Sequence, residues 1–192
     1  LSKLRGSPLT FSLPPFGWDR RRSSLAFLAA LLLTALQVFF LKHPQFVLDF
    51  YGDPFPEIIS LPFLHFTNRM PYEQYMHSLI SGSYAFSITP LGAGEDAAAS
   101  DFNACKNPFK YLNYGAAGIP GIYSASPIYT RCIANMETGL LVENNLHDWS
   151  RALEHLAFDL SLRQRIRVAA FDDIMSRHHV CMSAESLVQT FG

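Results

Sequence analysis

Charge is scarce in this chain. Lys, Arg, Asp and Glu make up 16% of its 192 residues, against about a quarter in an average soluble domain. Neither sign dominates: 15 Lys+Arg stand against 16 Asp+Glu, a net charge of −1. A protein that grips nucleic acid over a broad surface needs excess cations to release phosphate counterions, so that class is excluded. Cysteine is also sparse. Cys105, Cys132 and Cys181 are odd in number and far apart, which indicates neither a disulfide framework nor a paired-cysteine metal site and suggests a reducing compartment. The histidines do not make good the lack of metal ligands. His65 and His77 sit among apolar neighbours and read as core or surface residues, and His178 and His179 lie at a helix end that suits their charge. No serine occupies a Gly-x-Ser-x-Gly turn, so Ser-His-Asp chemistry has no footing. Internal repeats and low-complexity tracts are absent as well.

Apolar residues are plentiful, at 49%, and a chain of this length buries about 70% of its unfolded surface without disulfides. Residues 25–41, LAFLAALLLTALQVFFL, run for seventeen positions without a charge behind Arg20, Arg21 and Arg22. A membrane span needs about 20 apolar residues. This run is shorter, contains Thr34 and Gln37, and leads into the β-rich FVLDFY and the turn pair Gly52-Asp53. A buried helix packed on a sheet is therefore favoured over an anchor, with Ser23 or Ser24 as its cap. Its nearly all-round hydrophobicity leads us to expect another layer over its outer side. Upstream, the stretch from Leu1 reads as neither signal peptide nor domain start. Residues 1–19 are expected to be a linker or the remnant of an upstream region, and the chain a fragment of a longer protein.

Past the apolar helix, strands and helices alternate. Strands are expected at 46–51, 58–61, 84–88, 119–124 and 139–142. Helices are expected at 72–81 after Pro71, from Asn107-Pro108 to about Ala117, and at 127–134 behind Ser126. Two more follow at 148–158 and 161–175, with a last helical piece at 184–190. Strands separated by helices make crossovers and a parallel sheet, so the fold class is α/β, a Rossmann-like parallel sheet with helices on both faces. The domain is expected to span 20–177, with 178–192 a helical extension.

Ligands of such sheets bind outside the carboxyl ends of the strands. Two loops lie there, 90–106 and 124–127. The first carries Asp101-Phe-Asn103-Ala-Cys105-Lys106 and enters a helix at Asn107-Pro108-Phe-Lys110. A helix start presents unpaired N–H groups and partial positive charge. With the ammonium groups of Lys106 and Lys110 added, the pattern suits a phosphate or diphosphate. The plainer alternative is a capped helix with two solvated lysines.

The stretch KNPFKYLNYGAAGIP, then GIYSASPIY, then ETGLLVENNLHDWSRALEHLAFDL, resembles the C-terminal half of GT-B glycosyltransferases of the group 1 or family 4 type, as does the earlier PYEQYMHSLISGSYAFSITPL. The resemblance runs over about 20–177 and is most specific over 101–149. It implies one half of a GT-B fold, binding the nucleotide-sugar donor of a hexosyltransferase. Asn103 and Lys106 would contact the donor diphosphate, with Lys110 and Asp101 in support. Tyr114, Gly115 and Gly118 would shape the surroundings, and one cation of the cluster beginning at Arg20 would neutralise the leaving group. Asn113 stands where the family has the glutamate that holds the ribose, and its carboxamide supplies no charge. A second family glutamate falls at Cys105. The glycines also read as ordinary packing and capping residues, the arginines as a solvated helix start, and Trp149 as a packing anchor.

No catalytic base is identified, and neither metal nor cofactor is implied, the UDP- or GDP-sugar being substrate. The implied partners are a glycan or glycolipid acceptor and an N-terminal GT-B domain missing from this chain. The resemblance further suggests polysaccharide biosynthesis in a bacterium and a cytoplasmic location, with peripheral membrane contact left open. The alternative is a non-catalytic GT-B-like domain that binds protein or glycan, with Asn113 marking lost donor handling.

Overall fold

A computed structural model describes residues 9–12, 23–51, 61–91 and 106–177. In chain order the elements are β1 (Leu9–Ser12), α1 (Ser23–Lys42), β2 (Leu48–Tyr51), β3 (Leu64–Thr67), α2 (Tyr72–Ser81) and β4 (Ser87–Thr89). After these come α3 (Phe109–Ala116), β5 (Gly121–Ser124), α4 (Pro127–Thr130), β6 (Leu140–Val142), α5 (Leu146–Phe158) and α6 (Leu160–Arg177). The strands form one six-stranded sheet in the order β3-β2-β1-β4-β5-β6, and every neighbouring pair is parallel. This is the strand order of a Rossmann sheet. Its order reverses between β1 and β4, which opens a crevice at the carboxyl ends there.

One face of the sheet is covered by α1 and α5. Leu32, Leu36, Phe39 and Phe40 of α1 and Trp149, Leu153 and Leu156 of α5 close over Leu48, Phe50, Ile88, Ile122 and Leu140. His43, just past α1, bonds to the Glu154 carboxylate of α5 at 3.0 Å. No helix among the described residues is long and apolar enough to cross a membrane. The layer expected over the outer side of α1 is not seen among the described residues. Thr34 and Gln37 lie on that side and are exposed, with Val38 at 41% and Leu41 at 81%. The two polar residues fall one turn apart there, which suits a water-facing side.

The other face carries α2, α3 and α6. Tyr75 and Leu79 of α2 meet Tyr114 and Ile119, while Tyr111 of α3 packs with Tyr123, Tyr129, Ala170 and Ile174. The Tyr111 hydroxyl donates to Asp173 Oδ2 at 2.5 Å, and Arg177 pairs with Asp173 one turn on. These bonds tie α6 to α3.

Several boundaries differ from the expectation. Leu9–Ser12, inside the stretch read as a linker, is a central strand paired with both β2 and β4. Five residues between Pro8 and Pro14-Pro15 carry too little pattern to announce a strand. Of the strand expected at 58–61, residues 58–60 lie outside the described residues and Leu61 is irregular. The strand that follows is β3, an edge strand whose His65 and Phe66 are exposed. Helix α3 begins at Phe109 with Pro108 in the cap position and no side-chain cap, so Asn107 is not the cap. Ser126 occupies the cap position of α4 without bonding through its hydroxyl. By contrast, Asn145 caps α5, accepting from Asp148 N at 2.8 Å and donating to Asp148 Oδ2 at 2.9 Å, a reciprocal capping arrangement. The helical piece at 184–190 and the extension 178–192 lie outside the described residues.

Candidate functional site

The crevice at the carboxyl ends of the strands is built around α3 and the ends of β4 and β5. Ser124, the last residue of β5, is buried and organises the turn. Its hydroxyl accepts from Leu91 N at 2.8 Å and donates to Asn144 Oδ1 at 2.8 Å, and Asn144 Nδ2 returns to Leu91 O at 3.0 Å. This closed triangle fastens the exit of β4 to the ends of β5 and β6, and so fixes where the loop toward α3 departs. Thr89 Oγ1 and Ser126 Oγ, at the ends of the same strands, are buried without a hydrogen-bond partner among the described residues.

Helix α3 has no acidic residue in its first turn and carries Lys110 there, an arrangement that opposes the helix dipole and that a bound anion relieves. Burial pulls Lys110 down from 10.5 to about 8. Its ammonium stands 5.2 Å from the centre of the Tyr75 ring, within cation–π range. Lys106, at the entrance to the helix, is half-buried and shifted down by burial as well. Two partly desolvated ammonium groups beside a helix start are an arrangement whose charge suits an anion.

Asn113, one turn beyond Lys110, is 7% exposed, and its Oδ1 accepts a 2.8 Å hydrogen bond from the Tyr72 hydroxyl. Tyr72 opens α2 after Pro71 and is itself 63% exposed.

Lys106, Lys110 and Asn113 thus lie at the entrance to α3 and along its first two turns. The other described candidates face elsewhere. Tyr114 is fully buried against Tyr75, Leu79 and Ile119, so it is a packing residue. Gly115 admits α6: a Cβ there would lie 2.7 Å from Ile174 Cγ1, so its closeness serves helix packing and not a nucleotide. Gly118, at φ +66°, terminates α3. Gly118 N bonds Gly115 O at 2.9 Å and Ile119 N bonds Tyr114 O at 2.8 Å, the paired bonds of a Schellman ending. Trp149 is a fully buried anchor of α5. Arg20, Asp101, Asn103 and Cys105 lie outside the described residues. Among the described residues no group of three or more His, Cys, Asp or Glu could hold a metal ion. Tyr72, Ser124 and Asn144 had no sequence signal of their own, because each acts through a partner 20 or more positions away.

No protein-family model and no curated protein matches the sequence. Solved structures match its fold. HepE from Anabaena, in complex with UDP and glucose, superposes with a TM-score of 0.65 at 11% identity over 97% of this chain and 48% of its own. TarM from S. aureus, solved with UDP among its ligands, gives 0.68 at 11% over 98% and 36%. The C-terminal domain of LpcC, a group 1 glycosyltransferase family protein from Francisella tularensis, gives 0.64 at 14% identity, over 93% of this chain and 89% of that domain. The chain therefore has the fold of the C-terminal half of a GT-B glycosyltransferase, and it spans about half of HepE and about a third of TarM.

Proposed function

We propose that this chain is the donor-binding half of a nucleotide-sugar-dependent glycosyltransferase. The observation that carries the reading is the placement of Lys106 and Lys110 at the start of α3, in the crevice of a Rossmann sheet, both shifted down by burial. The fold shared with proteins solved with UDP supports it. In the reaction an acceptor hydroxyl attacks the anomeric carbon of the sugar. The new C–O bond forms as the bond to the diphosphate breaks, the electron pair leaves on the diphosphate oxygen, and the hydroxyl proton passes to a base. This chain holds the departing diphosphate through Lys106, Lys110 and the α3 start, with Asn103 adding a hydrogen bond and Arg20 a charge. Stabilising that developing charge is the main electrostatic task of such a site. The acceptor, a glycan or glycolipid, and the base belong to a second domain. Polysaccharide assembly at the inner side of a bacterial membrane is the setting this reading suits.

Asn113, an uncharged carboxamide where the resemblance implies a ribose-holding glutamate, favours a second reading, a non-catalytic domain of the same fold. Calorimetry with UDP and GDP separates the two. The donor-binding reading expects binding that weakens at least tenfold in Lys106→Ala, the loss of one charge-assisted contact. No heat at millimolar nucleotide supports the non-catalytic one.

A further inference from the structure

Tyr72 combines two properties that seldom occur together. It is 63% exposed, yet both of its ends are fixed. Its backbone begins α2, directly after Pro71, and its hydroxyl is held 2.8 Å from Oδ1 of the buried Asn113. Holding an exposed side chain in one place costs conformational entropy, and its fixed ring lies open to solvent at the carboxyl side of β3. Next to it is Tyr75, with ring centroids 6.5 Å apart and an interplanar angle of 43°. Beyond Tyr75 is the Lys110 ammonium, 5.2 Å from that second ring. The exposed Tyr72 ring, the buried Tyr75 ring and the partly desolvated Lys110 ammonium are therefore successive neighbours.

We infer that Tyr72 is the platform on which the base of a nucleoside diphosphate stacks, with Asn113 as the residue that positions the ring. The inference rests on the donor-binding reading and adds to it the element that recognises the base. A base presents a flat π-face that an aromatic side chain stacks on whatever the base identity, and the phosphates of the same ligand reach the α3 lysines. Because the phenol is already bonded to Asn113, the ring needs no reordering when the base arrives, which keeps the entropic cost of binding low. The contact is tolerant of base type, so it serves uracil and guanine alike.

The test is titration calorimetry of the full chain with UDP, GDP and inorganic diphosphate, comparing the unaltered protein with Tyr72→Ala and Tyr72→Phe, each first checked by circular dichroism for an unchanged fold. The expected result is that Tyr72→Ala weakens UDP and GDP about tenfold and leaves inorganic diphosphate unchanged. Tyr72→Phe, which keeps the ring, stays within about threefold of the unaltered protein. Unchanged UDP affinity in Tyr72→Ala overturns the platform while leaving the donor site standing. An equal loss for UDP and inorganic diphosphate also overturns it, since the tyrosine would then act through the phosphate site. If the unaltered chain binds none of the three ligands, the donor-binding reading fails and the platform with it.

Discussion

Lys110 carries a stability cost that its ligand should remove. Burial among the α3 start and Tyr75 lowers it from 10.5 to about 8, so the folded chain releases this proton more readily than the unfolded one. A cation whose folded-state value is depressed destabilises the fold while it is charged, and stability rises as pH climbs through the window between the two values. Integrating between pH 8 and pH 10 with those values gives about 2 kcal/mol at most. Within the same window Cys132, raised by burial from 9.0 to about 11, and the tyrosines Tyr51, Tyr84, Tyr111, Tyr123 and Tyr129, also raised by burial, oppose the trend because the unfolded chain ionises them first. Both proteins share that opposing loss, so the urea midpoint of the unaltered protein should rise from pH 8 to pH 10 relative to that of Lys110→Met. At pH 7 the whole displacement from 10.5 to about 8 amounts to about 3 kcal/mol, so Lys110→Met should be more stable there by about 2 kcal/mol once a lost cation–π contact of about 0.5–1 kcal/mol is deducted. A bound diphosphate restores the proton, so UDP binding at pH 8 should take up about half a proton, measured by calorimetry in two buffers of different ionisation enthalpy. A pH profile in Lys110→Met parallel to that of the unaltered chain, or a loss of stability at pH 7, refutes the reasoning.

Three further substitutions examine the supports of the site. Ser124→Ala leaves Leu91 N–H and Asn144 Oδ1 without the bonds that close the turn. It should cost about 1–3 kcal/mol and speed hydrogen exchange at the Leu91 amide, and an unchanged exchange rate there would show that the triangle is dispensable. Gly118→Ala must adopt φ +66° and brings a Cβ to 3.3 Å from Arg167 Nε, so denaturant unfolding should show a loss of about 1–2 kcal/mol. Tyr111→Phe removes the phenol that donates to Asp173 and should lower stability by about 1 kcal/mol without altering nucleotide affinity, because Asp173 keeps Arg177.

The fold class is legible in the sequence because helical segments alternate with short apolar strands, and parallel sheets follow from that alternation. Helix α2 occupies the residues its pattern predicts, 72–81, bounded by Pro71 and Gly82. The central strand β1 is not legible, since LTFS becomes a strand only through pairing with residues near 48 and 87. The cationic helix start is readable because Lys106, Pro108 and Lys110 lie together in the chain. The Tyr72–Asn113 bond spans 41 positions and Asn144–Leu91 spans 53, distances at which local pattern carries no information about contact. Gly115 and Tyr114 mislead for the opposite reason. They sit beside the site residues in sequence, while the helical turn sends them into the core.

A nucleoside diphosphate held at the start of α3, at the carboxyl edge of the sheet, should perturb the amides around it. Titration of the isotopically labelled chain with UDP, followed amide by amide, tests this placement most directly. Saturable shifts should concentrate at Lys106, Phe109, Lys110, Tyr72 and Leu91. Shifts confined to the α1–α5 face around His43 and Glu154, or none at all at millimolar UDP, would contradict it.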